Sequence, residues 1–190
     1  FRVCLVLLEL SEDGVFILRM EGGAELRGRI MAVATADDVI KASNLGQSFV
    51  SARIFLPEAV EEAKRRNVRL VNIEDIAEPL ASLMINLLAS RRADLLIRVF
   101  NLLIPPQLAK SYSYSEYRDV MTGEVEDVSF RVRIEIPGKF AANVFEDLSE
   151  LLNELASKMG RIEGVDVEFT VKREGSDRVI DYGFSTESTE

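Results

Sequence analysis

The first third of the chain alternates short apolar runs with turn signals. Apolar residues dominate residues 3–10, 15–20 and about 26–34, and Asp13-Gly14 and Gly22-Gly23 lie between these runs. Asp-Gly and Gly-rich pairs between apolar runs are typical of tight turns that join two strands. Strands joined by such short turns run antiparallel. The pattern therefore predicts a three-stranded antiparallel meander.

After residue 34 the pattern changes and predicts helices that alternate with strands. Thr35 precedes the acidic pair Asp37-Asp38, an arrangement typical of a capped helix N-terminus, where the helix dipole favours negative charge. Pro57 suits the first position of a second helix, and Asn67 suits its left-handed cap. The predicted elements are a helix to about residue 44, a strand over 49–56, a helix over 57–66 and a strand over 68–73. Strand, helix and strand in this order predict a parallel crossover.

Two strongly apolar helices follow, over about residues 76–88 and 95–103. Arg91, Arg92 and Asp94 interrupt the apolar stretch, so neither half is long enough to cross a bilayer, and we expect no membrane association. The pair carries more apolar surface than one small core usually buries. It predicts either an interface with a second copy or a protein partner, or a core between two domains. The candidate interface residues are Leu80, Leu83, Leu87, Leu96, Phe100 and Leu103.

The residues after Pro105-Pro106 have a pattern of their own. It predicts a hairpin over residues 110–136, a long helix with an apolar stripe from Phe145 to Met159, and two further strands ending near Phe184. Residues 185–190 are polar and are expected to be a disordered acidic tail. The fold class is thus α/β, with a mixed-sheet domain over residues 1–104 and an α+β domain of ββαββ order over 107–190.

Composition narrows the possible chemistry. The 190 residues include no histidine and one cysteine, and they carry a net charge of −9. Absence of histidine excludes Ser-His-Asp and Cys-His catalysis and histidine-ligated zinc. Cys4 lies in an apolar run and is predicted to be a small buried hydrophobe. The glycine pair lacks the spacing of a phosphate-binding loop, so no cofactor is expected. The charged, His-free composition is typical of thermophilic proteins, and a cytoplasmic location is expected.

Residues 52–72, ARIFLPEAVEEAKRRNVRLVN, resemble the strand–helix–strand segment of the restriction-endonuclease-like fold in its Mrr-type archaeal and bacterial form. The resemblance covers about the first eighty residues and implies a mixed sheet. It also implies a divalent-metal site made by an acidic residue on the second strand and by Glu or Gln, any residue, then Lys on the third. Here both strands are apolar at those positions, and Thr35 stands near the Lys position. The catalytic motif is therefore missing.

A displaced metal site has three candidate ligands, which are Glu25, Asp37 and Asp38. Carboxylates hold a divalent cation only when they converge within a few ångströms. The strongest basic cluster consists of Lys64, Arg65, Arg66 and Arg69, which either contact nucleic-acid phosphates or stabilise a helix C-terminus. The net charge does not support bulk electrostatic binding to DNA. Tyrosines on the first strand after residue 107 either stack bases or simply favour strand structure.

These observations leave three functional hypotheses. The first is a non-catalytic interaction or assembly protein that self-associates through the apolar helices. The alternative is a degenerate or migrated-site metal-dependent nuclease, or a nuclease partner subunit, that acts on DNA. The third is a binding module that uses the polar face of the second sheet, at Arg131, Arg133 and Lys172.

Overall fold

The computed structural model describes residues 5–140 and 142–187, so Cys4 lies outside the described residues. It confirms the α/β class: a five-stranded mixed sheet and a four-stranded antiparallel sheet are combined with five α-helices in the described part of the chain. The strands of the first sheet are β1 (Leu5–Leu10), β2 (Phe16–Met20), β3 (Glu25–Ala34), β4 (Phe49–Phe55) and β5 (Arg69–Asn72).

The first sheet has the order β1-β2-β3-β4-β5. Strands β1, β2 and β3 form the predicted antiparallel meander, whereas β3, β4 and β5 are parallel. Gly28 on β3 lies opposite Phe49 on β4, and a Cβ at Gly28 would lie 2.2 Å from the Phe49 carbonyl oxygen. Only glycine therefore allows these two strands to approach so closely.

Two helices cover the outer face of this sheet, α1 (Ala36–Asn44) and α2 (Pro57–Arg66). The predicted capping is confirmed at both. The Asp38 N–H donates to Thr35 Oγ1, and the Thr35 N–H donates to Asp38 Oδ2 at 2.8 Å. Asn67 ends α2 in the left-handed conformation, with φ of 57°. Small buried residues such as Ala59 and Ala63 let the helices lie close to the sheet.

The inner face is covered by α3 (Ala77–Ala89) and α4 (Ala93–Leu103), which follow a short 3-10 turn at Ile73–Asp75. The burial of these helices decides between the two interpretations of the apolar stretch, an intermolecular interface or a core inside the molecule. Leu80, Leu96 and Phe100 are 0% exposed and Leu103 is 1% exposed, because they pack inside the molecule. The prediction that these four form an intermolecular interface is therefore wrong. Leu83 and Leu87 are half-buried against the same core.

The second sheet contains β6 (Ala109–Arg118), β7 (Val125–Ile136), β8 (Val165–Glu174) and β9 (Asp177–Glu187), in the order β6-β7-β9-β8. Helix α5 (Ala142–Met159) connects β7 to β8. The predicted ββαββ order of elements is confirmed. Residues 185–187 belong to β9, paired with β7 as far as Asp127, so the prediction of a disordered tail is wrong for them. The remaining residues, 188–190, lie outside the described chain.

The two sheets share one continuous core. Phe100 of α4 stacks on Phe130 of β7, with ring centroids 5.5 Å apart, and its ring edge meets Tyr182 of β9 at 5.9 Å. Helix α5 packs on α3 and also reaches β3 and β8. Pro105-Pro106 does separate the two sheets along the chain, but the apolar interior runs across that boundary. None of the described helices is long and apolar enough to cross a membrane.

Candidate functional site

The candidate site lies along an unpaired edge of β3. Strand β2 pairs with β3 only over Glu25–Gly28, whereas β4 pairs with β3 from Gly28 to Ala34. No described strand therefore pairs with the second edge of β3 beyond Gly28. At roughly 3.3 Å per residue, the free edge from residue 29 to residue 34 is about 20 Å long. The N–H and C=O groups of residues 29–34 that face away from β4 therefore have no strand partner among the described residues.

A cleft with a volume of about 810 Å³ opens beside this edge. Strand β3 forms one wall, the start of α1 forms a second, and the link between α4 and β6 forms a third. The end of β4 and helix α5 complete the lining. This volume falls in the range of pockets that hold small molecules or short peptide segments.

Exposed aliphatic side chains converge on the cleft from separate elements. Ile54 lies near the end of β4, Leu56 precedes α2 and Leu102 lies near the end of α4, and each is 37% exposed. Val33 and Phe140 add half-buried apolar surface. Large aliphatic groups from three elements that stay exposed to water at one place favour a binding role, because their exposure costs hydrophobic stabilisation.

Two of the five charged side chains that line the cleft form hydrogen bonds, whereas Asp37, Lys41 and Asp147 form neither an ion pair nor a side-chain hydrogen bond among the described residues. Asp38 is held by the α1 cap, and Arg29 Nε donates to Gln47 Oε1 at 2.9 Å. Asp147 of α5 forms no ion pair among the described residues. Burial raises the pKa of Asp147 above its usual 3.8, although the charge of Arg53 acts in the opposite direction. A cationic group entering the cleft would therefore stabilise the Asp147 carboxylate.

The three candidate metal ligands do not come together. Asp37 and Asp38 line the cleft, but Glu25 begins β3 at the opposite end of a ten-residue strand that spans about 30 Å. Glu25 instead forms an ion pair with Arg19 at 3.2 Å. No group of three acidic or cysteine ligands within metal-binding distance occurs in the described residues. The predicted migrated site is thus not assembled by these carboxylates.

The basic cluster is placed away from the cleft. Helix α2 starts beside the cleft after Leu56 and runs about 15 Å to its C-terminus, where the cluster lies. Arg65 and Arg66 both donate to Glu62, at 2.8 and 3.0 Å, while Lys64 and Arg69 are exposed nearby. Basic residues in a last turn stabilise the helix dipole, and this arrangement fits that role.

The two arginines on the polar face of the second sheet pair with carboxylates of the same sheet, whereas Lys172 forms no ion pair among the described residues. Arg131 pairs with Glu168, and Arg133 pairs with Glu174 at 3.2 Å. The tyrosines of β6 divide between the two faces: Tyr112 and Tyr114 pack half-buried on the core side, while Tyr117 is 60% exposed. A row of aromatic rings on one open face, as base stacking requires, is not formed.

Two polar atoms are buried without a hydrogen-bond partner among the described residues, Ser51 Oγ and Arg53 Nε on β4. The Arg53 guanidinium still pairs with Glu150 of α5 and, at 3.7 Å, with Glu74. These contacts tie α5 to the carboxyl ends of β4 and β5. They fix the helix that carries Asp147 beside the cleft.

The sequence predicted the start of α1, which lines the cleft, but it did not predict the apolar side chains of the lining. A signal was present, because the predicted second strand is shorter than the third, and a length mismatch between neighbouring strands leaves one edge free. The convergence of Ile54, Leu56 and Leu102 has no counterpart in the local sequence. Comparisons with protein-family models, with curated proteins and with solved structures found no match to this chain.

Proposed function

We propose that this protein is a non-catalytic interaction and assembly protein that binds an extended segment of a protein partner in the cleft beside β3. The observation that supports this proposal is the unpaired edge of β3, which opens into an apolar cleft. A partner strand added to this edge gains main-chain hydrogen bonds along its length, and its alternate side chains enter the cleft.

The lining indicates the chemistry of the partner segment. Aliphatic or aromatic side chains would pack on Ile54, Leu56 and Leu102, removing exposed apolar surface at roughly 25 cal/mol per Å². A Lys or Arg in the segment would pair with Asp147, whose carboxylate has no ion pair among the described residues. The expected partner is therefore an extended, apolar segment with a basic residue.

Synthetic peptides test this proposal. A fluorescently labelled pool of octapeptides with alternating Leu or Ile and a terminal Lys is titrated with the protein, and anisotropy is measured. Matched pools replace the aliphatic residues by Ser, or the Lys by Glu. We expect millimolar or tighter binding of the apolar-basic pool, and binding at least about tenfold weaker for each matched pool, which corresponds to about 1.4 kcal/mol.

Two single substitutions test whether the peptides bind in the cleft. Leu102→Asp places a charge on the cleft surface and is expected to weaken binding about tenfold or more. Leu45→Asp is the control, because Leu45 is 66% exposed and does not line the cleft. If the apolar-basic pool fails to bind, or if both variants bind it as well as the unmodified protein does, the proposal fails.

A nuclease-derived role on DNA is the second candidate. It is supported by the strand order, in which an antiparallel meander leads into three parallel strands as the restriction-endonuclease-like resemblance implies. The resemblance would put the metal beside residues 31–35, and Met31, Val33 and Thr35 line the cleft. Cleavage of supercoiled plasmid with Mg²⁺ or Mn²⁺, and binding of a DNA duplex at low salt, test this candidate. Absence of both activities would eliminate it.

A further inference from the structure

Strand β6 carries charges of opposite sign on either side of its centre, so an antiparallel copy of the strand would place opposite charges next to each other. Strand β6 (Ala109–Arg118) has β7 as its sole neighbour in the second sheet, so one edge is unpaired among the described strands. Unpaired strand edges are sites of association unless charges, short length or a covering element protect them. Of the other outer strands, β5 has only four residues, β1 has six with one charge at Glu9, and β8 carries charges at Asp166, Glu168, Lys172, Arg173 and Glu174.

The centre of β6 carries no charged side chain that would protect its unpaired edge. Its ten residues include an uncharged stretch, Ser111–Ser115, in which exposed serines alternate with half-buried tyrosines. One charge lies on each side of this stretch, at Lys110 and Glu116, and both point to the inner face. Lys110 forms no ion pair within the described part of the chain, whereas Glu116 pairs with Arg118 at 3.0 Å and accepts a hydrogen bond from the Tyr114 hydroxyl at 2.7 Å.

We propose that two copies of this chain associate through β6, in antiparallel register about a two-fold axis at Ser113, to form a continuous eight-stranded sheet. Antiparallel partners point to the same face, so this register keeps the inner faces of both copies on one side. Tyr112 then lies opposite Tyr114 of the second copy. Lys110 lies opposite Glu116 of the second copy, and the two-fold axis creates this pair twice.

The charges of β6 favour this register over the two registers in which the two-fold axis is shifted by one residue. Moving the axis to Tyr114 places Lys110 opposite Arg118 of the second copy, and like charges directly opposite each other are destabilising. Moving it to Tyr112 leaves Glu116 opposite the apolar Leu108. Only the axis at Ser113 pairs opposite charges at both ends and aromatic rings between them. This association is independent of the cleft beside β3, which lies on the other sheet.

Charge exchange tests the proposal. Mass in solution is measured over a concentration series by sedimentation equilibrium. The unmodified protein is expected to show a monomer–dimer equilibrium. K110E and E116K each create two repulsive pairs and are expected to weaken dimerisation by roughly tenfold or more. An equimolar mixture of the two variants is expected to restore both attractive pairs. In a mixed dimer, the introduced acidic group at position 110 faces the introduced basic group at position 116, and the native Glu116 faces the native Lys110.

The controls separate this pairing from other effects. K172E makes the same charge change on β8 and is expected to leave dimerisation unchanged, and circular dichroism establishes that each variant is folded. Restored dimerisation in the mixture cannot result from misfolding of either variant. A strict monomer at all concentrations, dimers that ignore both charge changes, or a mixture that stays monomeric would each overturn the proposal.

Discussion

Replacing Phe100 by Ala tests whether the apolar helices form the shared core of the two sheets. Phe100 is 0% exposed and contacts aromatic rings on β6, β7 and β9, with centroids 5.5 to 6.3 Å away. The variant removes a ring from the place where α4 meets the second sheet. If that core is shared, the damage extends to both sheets.

The expected magnitude follows from the packing. Phe→Ala in a core typically costs about 3–5 kcal/mol, which combines lost transfer free energy with an unfilled cavity. Four ring neighbours surround Phe100, and aromatic pairs add about 0.5–1.5 kcal/mol beyond area burial. We therefore expect the upper part of this range, about 4 kcal/mol. For a chain of this size, such a loss lowers Tm by roughly 8–16 °C.

Urea unfolding followed by circular dichroism and by tyrosine fluorescence measures this loss, and the two transitions should coincide if both sheets unfold together. Val120→Ala is the control, because Val120 is 94% exposed and should cost less than about 0.5 kcal/mol. A Phe100→Ala protein with unchanged stability but lost self-association would refute the core assignment and restore the interface interpretation.

Three further substitutions test local features. Gly28→Ala forces a Cβ against the Phe49 carbonyl oxygen and is expected to destabilise the first sheet by about 1–3 kcal/mol, measured by urea unfolding. Thr35→Ala removes the hydroxyl that accepts from the Asp38 N–H and is expected to cost about 1 kcal/mol in the same assay. Asp147→Asn removes a carboxylate whose pKa is raised by burial, so it is expected to stabilise the protein near neutral pH while weakening binding of the basic peptide. A raised pKa means that ionisation costs the folded state free energy, so this stabilisation disappears as the pH falls toward 3.8.

Matched substitutions keep these three tests specific. Gly160→Ala meets only an ordinary contact of 3.4 Å and should be nearly neutral, in contrast to Gly28→Ala. Thr35→Ser retains a capping hydroxyl and should retain most of the stability. Glu146→Gln changes an exposed neighbour of Asp147 and should leave peptide binding unchanged. Equal effects in any matched pair would contradict the mechanism assigned to that pair.

Local signals predicted most of the fold. The turns at Asp13-Gly14 and Gly22-Gly23, the cap at Thr35 and the left-handed Asn67 each specify a boundary through the backbone of a few residues, and these boundaries agree with the structure to within a few positions. Alternation in β7 likewise identified its buried face, since every second side chain of a strand points the same way.

Long-range packing could not be predicted in the same way. The apolar stripe around Leu96 and Phe100 has the same periodicity whether it meets a second copy or another sheet of the same chain, so the sequence left both open. The meeting of Leu102 with Ile54 and Leu56 depends on how α4 crosses the sheet. A free strand edge is also a property of two strands together, and no single run of residues specifies it.

The apolar lining of the cleft opposes metal binding and favours strand addition for the same reason. A divalent cation requires several oxygen ligands, whereas main-chain hydrogen bonds gain strength where apolar neighbours exclude water. Val33→Glu should therefore weaken peptide binding about tenfold or more without creating a Mg²⁺-dependent rise in Tm, because Asp38 is held in the α1 cap and Glu25 lies at the far end of β3. Val33→Ala, which removes volume but adds no charge, should retain most of the binding. Anisotropy titrations measure the first effect and thermal melts with and without Mg²⁺ measure the second. A Val33→Glu protein that binds the peptide normally would show that the cleft does not hold the segment.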